Sequence, residues 1–418
     1  MQILEENKVI SFCSNWTHPD NMPAVRGEAK RALALMDFPN SKIEQWKYTR
    51  TNRITNKTYR QSKGNSTVLP LQAEINDHLI VFENGFLNKD LSKIYPDACL
   101  EIVPIEEFEE SNYLEYLEDI EENVFSLINK AFSTCGCYIK VSKNLKSNRN
   151  VHLVHLINGE GIVSNVRHFI ELEKGAELNL ISSFHSNNTK QSFNNVVFEG
   201  ILGENACLKI DKIQNEDKEQ VYHISTENFI QQASSNLKIN TITLGGLLVK
   251  NMLNILVEGV NCYSELNGVF LGKQKQLIDN HTFIDHIASN CNSKETYKGI
   301  MDDQSIGVFN GKVIVRKDAQ KIEAYQSNGN ILLTDFSSVN SKPELEIYAN
   351  DVKCSHGSTT GQLDEHAIYY LQTRGINRSK AEKMIAQAYV LEVINEIEME
   401  FSKNYLKTIF QKDFKWEF

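Results

Sequence analysis

Apolar and polar positions change rhythm three times along this chain. From Pro23 to Met36 the period is helical: Val25, Ala29, Ala32, Leu33 and Met36 fall on one face, and Pro23 suits a first turn. Phe38-Pro39 stops that helix, and Ile43 to Arg50 leads into a polar, weakly patterned stretch reaching about Val68. Ile80 to Phe86 and Cys99 to Val103 read as short strands. Ser111 to Phe132 reads as a helix with Tyr113, Leu117, Ile120, Val124, Leu127 and Ala131 as its apolar stripe.

From Cys137 to about Tyr348 the period falls to two. Short runs of alternating β-branched and polar residues are punctuated by Gly, Asn and Asp. A repeat lies inside this region: AELNLI begins at Ala176, ACLKID at Ala206, SNLKIN at Ser235 and SELNGV at Ser264, in steps of 30, 29 and 29 residues. Each unit sets a leucine two positions after a small residue. Alternation with a fixed long period is what a coiled stack of parallel strands requires, since each coil must lay its inward side chains on the last. A β-helix is therefore expected, each repeat supplying about one coil.

The chain then turns helical again. Asp364 to Thr373 forms one expected helix, closed by Gly375, and Ser379 with Glu382 makes an S-x-x-E capping pair for a long second one. Met384, Ile385, Ala388, Leu391, Ile394, Ile397 and Phe401 give that helix a broad apolar side. Such a pair is expected to cap the end of the stack and offer a face to a partner. The pattern thus divides the chain into a helical or mixed part (1–95), a β-helix core (96–348, with the 111–132 helix leading into it) and a C-terminal helical part (349–418).

Composition narrows the function. A chain of 418 residues with 41% apolar content can hold two or three domains without a disulfide or metal staple. A net charge of −10 argues against nucleic-acid binding, which needs a basic face. Ten of the acidic residues lie between Glu101 and Glu122 with no basic residue among them, as in a solvated face or a dock for a basic partner. MQILEENKVISF is no secretory signal, and the most apolar window, Thr241 to Val260, carries Lys250, Glu258 and two asparagines, so no membrane span is expected. Eight cysteines at unframed spacings read as reduced thiols. A soluble, cytoplasmic protein is expected.

Catalytic signatures are missing. There is no phosphate loop; GVFNGKV (307–313) has one residue too few between its glycines and lacks the hydroxyl that follows. Nor does G-x-G-x-x-G, G-x-S-x-G, H-E-x-x-H or C-x-x-C occur. Cys135 and Cys137 share a face at a strand start and read as buried structural thiols. His281, His286 and Cys291 are spaced by five, so a strand turns successive members to opposite faces and no single metal collects all three. Cys354 and His356 differ by two and point the same way. They are either a buried thiol beside a hydrogen-bonded histidine, or a soft sulfur and a borderline nitrogen suited to iron or a thiolate-rich cluster.

The surrounding strings resemble the SufD branch of the SufB/SufD family of iron–sulfur cluster assembly scaffolds. They are IDNHTFIDH (278–286), YKGIMDD (297–303), GVFNGKVIV (307–315), AQKIEAYQSN (319–328), KPELEIYANDVKCSHGSTTGQLDE (342–365) and RGI (374–376), with QWKYT (45–49) and INKAFSTCG (128–136) as weaker matches. The resemblance implies a right-handed parallel β-helix between N- and C-terminal helical domains and a non-catalytic role. It further implies a heterodimer with a SufB-like homologue and a SufC-like ATPase held by the C-terminal helices, with Gln362, Leu363, Asp364, Tyr369, Tyr370, Arg374 and Gly375 in the docking face. Asn280, His281, His286, Asn310, Cys354 and His356 are the implied subunit-interface residues. A transient iron or Fe–S cluster would form there on His356, with Cys354 beside it, and no tightly bound cofactor is implied for the chain alone. Asn350, Ser358 and Thr360 depart from the family's usual Asp, Ala and Val. An edge suited to a homologue also suits a second copy when the chain is alone. A polysaccharide-active β-helix, which would need a secretion signal, and a metal-free scaffold are the other classes open to such a chain.

Overall fold

The computed structural model describes residues 7–71, 77–107 and 123–416. From Cys137 onward consecutive strands alternate between two sheets, so each strand's in-sheet neighbour is the next but one in sequence. Over the described residues one sheet has ten strands and the other nine. Among the described residues the antiparallel pairs lie at the start of the stack, Phe86–Leu87 on His78–Glu83 and Leu100–Pro104 on Cys137–Val141. All later pairings are parallel and each closes one coil: Val151 faces Leu180, Leu208 faces Leu237 and Ala324 faces Cys354. The molecule is a parallel β solenoid of about eight turns with helices at both termini.

The sequence repeat maps onto the ten-stranded sheet. Leu178, Leu208 and Leu237 stand in register on successive strands and fill the lumen. The fourth unit keeps the face and loses the register, because Ser264 lies opposite Leu237 and Leu266 opposite Ile239. An offset of two preserves which side chains point inward, so alternation alone does not detect it. Within the lumen the inward rows stack as ladders, among them Val151, Leu180 and Ile210 from one sheet and Phe229 with Ile255 from the other. Gly136, between Cys135 and Cys137, is needed where the first strand crosses the next: an added Cβ there would lie 1.6 Å from the carbonyl oxygen of Arg167. Both flanking thiols are buried in the lumen, as expected.

The helices do not cap the stack; they clad its sides. Helices Lys8–Phe12, Pro23–Leu33 and Val124–Phe132 pack against outward residues of the nine-stranded sheet, from Val163 and Phe193 to Leu277 and Val308. The C-terminal helices lie on the opposite flank, where Val390, Val393, Leu406 and Phe410 cover Ile213, Ile242, Val269, Ile300 and Ile331. Three expectations change in detail. The helix read over 111–132 is described only as Val124–Phe132, capped by Asn123, and the rest of it, like most of the acidic run, lies outside the described residues. Asn377, not Ser379, caps the second C-terminal helix by accepting from the Lys380 amide at 2.9 Å, while Glu382 pairs with Arg378. That helix ends at Ile394 and a third follows at Glu400–Ile409. The parallel sheets also run past residue 348, through a final strand Val352–Gly361.

Candidate site at the open end of the solenoid

The final coil consists of Ser338–Ile347, outermost in the nine-stranded sheet, and Val352–Gly361, outermost in the ten-stranded one. Among the described residues each pairs on one side only. Val352, Cys354, His356 and Ser358 continue the inward row of Ile322, Ala324, Gln326 and Asn328 beneath them. Those lower residues are buried, whereas His356 and Ser358 are exposed, because no further coil covers them. A Cβ added to Gly357 or Gly361 would meet open space. Across the mouth Ser358 Oγ donates to Ser341 Oγ at 2.7 Å, which donates to Asn328 Oδ1 at 2.8 Å. Cys354 is half-buried against the lumen core, and that burial pushes its thiol pKa up, so it stands protonated at neutral pH.

Around this mouth the surface is unusually apolar. Phe336 is 79% exposed and Tyr348 60%, joined by Tyr325, Leu333 and Ile347. These side chains stand exposed beside two free sheet edges. Pro343 sits within one of those edges, where a missing amide does no harm to the ladder.

Directly below His356 in the same row come Gln326 and then Glu295. Gln326 Nε2 donates to Glu295 Oε2 at 3.0 Å. Burial raises the Glu295 carboxyl to a pKa of about 7 despite that hydrogen bond. Gly311 keeps space open across the lumen, since a Cβ there would come within 3.0 Å of both polar groups. Neither Glu295 nor Gln326 stood out in the sequence. The signal was available, though: residues 295, 326 and 356 are each one coil apart.

The remaining expected interface residues are not gathered at this mouth. Asn280 and His286 point into the lumen on a strand two places below the end of the nine-stranded sheet, bonded to Asn251 at 2.9 Å and Ser293 at 2.9 Å. At 2% and 0% exposure neither has an atom to give a partner, which corrects the interface reading for both. His281 and Asn310 are register partners on the outer face of that sheet. His281 Nε2 lies 2.8 Å from Asp279, which also binds Lys250 at 2.8 Å and the Thr49 hydroxyl. Lys250 in turn donates to the Gln45 carbonyl at 2.8 Å and sits over the Trp46 ring. The strings QWKYT and IDNHTFIDH thus meet as one buried clamp that fastens the N-terminal segment to the solenoid. Against the cost of its burial, the interactions with His281 and Lys250 hold the Asp279 carboxyl far below the usual range.

The expected docking residues lie together on and beside helix Glu365–Thr373. Asp364 caps it by accepting from the His366 amide at 2.8 Å, Tyr369 and Tyr370 are exposed, and Arg374 lies over the Tyr370 ring. Gly375 ends the helix at φ +86°, and Gln362 and Leu363 line a groove of about 440 Å³ between this helix and the sheet. No helix among the described residues is long and apolar enough to cross a membrane.

Residues 155–389 match the family model described as SUF system FeS cluster assembly, SufBD core domain. The chain is 28% identical to the iron–sulfur cluster assembly protein SufD of Escherichia coli, over 86% of each chain. It is 27% identical to an iron–sulfur cluster assembly SufBD family protein of Synechocystis, over 95% of this chain and 91% of that one. Bacillus subtilis SufD is 22% identical over 78% of this chain and 75% of its own.

Proposed function

The chain belongs to the SufB/SufD family of the SUF system, and from that premise we propose that it is a D-type subunit pairing with a SufB-like homologue through the mouth of its solenoid. Membership gives it a part in iron–sulfur cluster assembly as a scaffold subunit. The observation that carries the finer reading is the exposed imidazole of His356 on an uncovered coil whose two sheet edges are both unpaired. A homologous partner that continues the sheets would bring its own ligands over His356. The nascent iron or cluster is then cargo shared across the seam, with His356 offering a ring nitrogen and Cys354 a protonated thiol that must lose its proton to bind. Gln326 and Glu295 stand behind the imidazole as polar support that could orient it.

Helix Glu365–Thr373, with Tyr369, Tyr370 and Arg374 outward, is the surface offered to a SufC-like ATPase. A movement of that ATPase would reach the mouth through Gln362 and the final strand, which adjoin without an intervening element. When the homologue is absent, a second copy can occupy the same edges. The test is His356→Ala co-expressed with SufB-like and SufC-like partners, followed by anaerobic loading with iron and sulfide. The expected result is an intact complex that has lost the cluster's visible absorbance; a normal cluster spectrum in the variant overturns the assignment.

A further inference from the structure

All eight cysteines are free thiols, and two of them share one corner of the solenoid, at the start of strands below the final coil. Cys262 precedes the strand Tyr263–Gly272 and Cys291 precedes Asn292–Met301, and those strands pair Tyr263 with Asn292. The two thiols therefore occupy adjacent rungs, one coil apart. The Cys262 amide donates to Cys291 Sγ at 3.4 Å, and the Asn292 amide donates to the Cys262 carbonyl at 2.9 Å. Both sulfurs converge on one acceptor, the Gly259 carbonyl, at 3.1 Å from Cys262 and 3.2 Å from Cys291. Cys262 Sγ also reaches the Gln232 carbonyl at 3.1 Å, and the coupling between the two thiols lowers the pKa of Cys262 while raising that of Cys291. Ser235 Oγ, on the rung below, lies 3.6 Å from the Cys262 sulfur.

Neighbouring parallel strands run about 4.8 Å apart, inside the Cα separation of roughly 4.4–6.8 Å that a disulfide spans. The other cysteines lack this arrangement. Cys135 and Cys137 lie two residues apart in sequence, only Cys137 falling in the strand Cys137–Val141, and Cys354 has the non-thiol Ala324 on its rung. The thiols themselves are buried, yet each lies one residue behind an exposed corner turned by Asn261 at φ 61° and Asn290 at φ 60°. A small neutral oxidant has a short path to them and a bulky one does not.

We propose that Cys262 and Cys291 are a redox modification site, closing a reversible intrachain disulfide between two successive coils when hydrogen peroxide reaches this corner. In the first step the Cys262 thiolate attacks one peroxide oxygen, the O–O bond breaks, and the released hydroxide takes a proton to leave as water. In the second the Cys291 sulfur attacks the Cys262 sulfenic acid, expels hydroxide, and yields its own proton to it. Two thiols and one peroxide become one disulfide and two waters. A thiol reductant reverses the bond. This site does not depend on the reading of His356.

The test uses the full chain, reduced and then exposed to hydrogen peroxide near stoichiometry, with remaining thiols alkylated and the digest read by mass spectrometry. The expected result is a loss of two thiols per chain, recovered as a Cys262 peptide joined to a Cys291 peptide, and restored by dithiothreitol. Cys291→Ser should cut the cross-linked peptide at least ten-fold, and Ser235 on the same corner ladder indicates that a hydroxyl fits there. Oxidation of other cysteines while Cys262 and Cys291 stay alkylatable overturns the proposal. So does their conversion to sulfinic acids without a cross-link, and so does no reaction at all.

Discussion

Replacing Glu295 with glutamine should make the protein more resistant to unfolding at pH 8 while changing little near pH 5. The carboxyl has a pKa of about 7 in the folded chain, against 4.5 when solvated. Below pH 4.5 it carries its proton in both states and has no effect on the balance. Between 4.5 and 7 the unfolded chain releases a proton that the folded chain keeps, so wild-type stability falls as pH rises; above 7 both states are ionised and the slope vanishes. A difference of about 2.5 pH units at 1.36 kcal/mol each gives a total penalty of about 3 kcal/mol. Most of it, roughly 2–3 kcal/mol, accrues between pH 5 and pH 8. Glutamine keeps an acceptor for Gln326 Nε2 and never ionises, so the variant escapes that loss. Urea unfolding followed by circular dichroism at pH 5, 6, 7 and 8 measures the wild-type-minus-variant difference, in which all other titrations cancel. A gap that stays constant across that range would refute the claim that an ionisable group is enclosed beneath the mouth.

Two further outcomes follow from the clamp and the docking helix. Asp279→Ala leaves Lys250 buried without its carboxylate and should cost about 3–5 kcal/mol, with the N-terminal segment cut early in limited proteolysis; unchanged melting and cleavage would show that the clamp is idle. Tyr369→Ala with Tyr370→Ala removes two side chains that are 69% and 57% exposed. Melting should therefore stay within a degree or two, while capture of a SufC-like ATPase in a pull-down weakens ten-fold or more. Equal capture by wild type and variant would exclude those rings from the contact.

The solenoid was legible because its constraint is periodic. Leucines at 178, 208 and 237 must stack, and a step near thirty residues with inward alternation has few other solutions. The positions of the helices were not legible, since the stripe read from Met384, Ile385, Ala388 and Leu391 is largely exposed or half-buried, and it is Val390 and Val393 that cover the sheet. The final coil was misread as something after the core for a related reason. Its inward row of Cys354, His356, Ser358 and Thr360 is polar, and a pattern that looks for buried alternation stops at the last covered coil. His356 was found from the string around it, not from any physical signal. His281 and His286 carried the same residue type and spacing logic, yet they are spoken for by Asp279 and Ser293 inside the chain.

Because the helices clad the flanks, the terminal cross-section presents two parallel β edges separated by the width of the lumen. A mate joined along one edge could swing about it like a flap. One that pairs with both is locked against rotation and can leave only by peeling both seams or by deforming the coil that carries them. Reversible access to anything trapped between the two bodies is therefore a matter of how easily that last turn frays. The bonds from Ser358 to Ser341 and from Ser341 to the Asn328 amide oxygen lace it to the coil beneath, in addition to its two ladders.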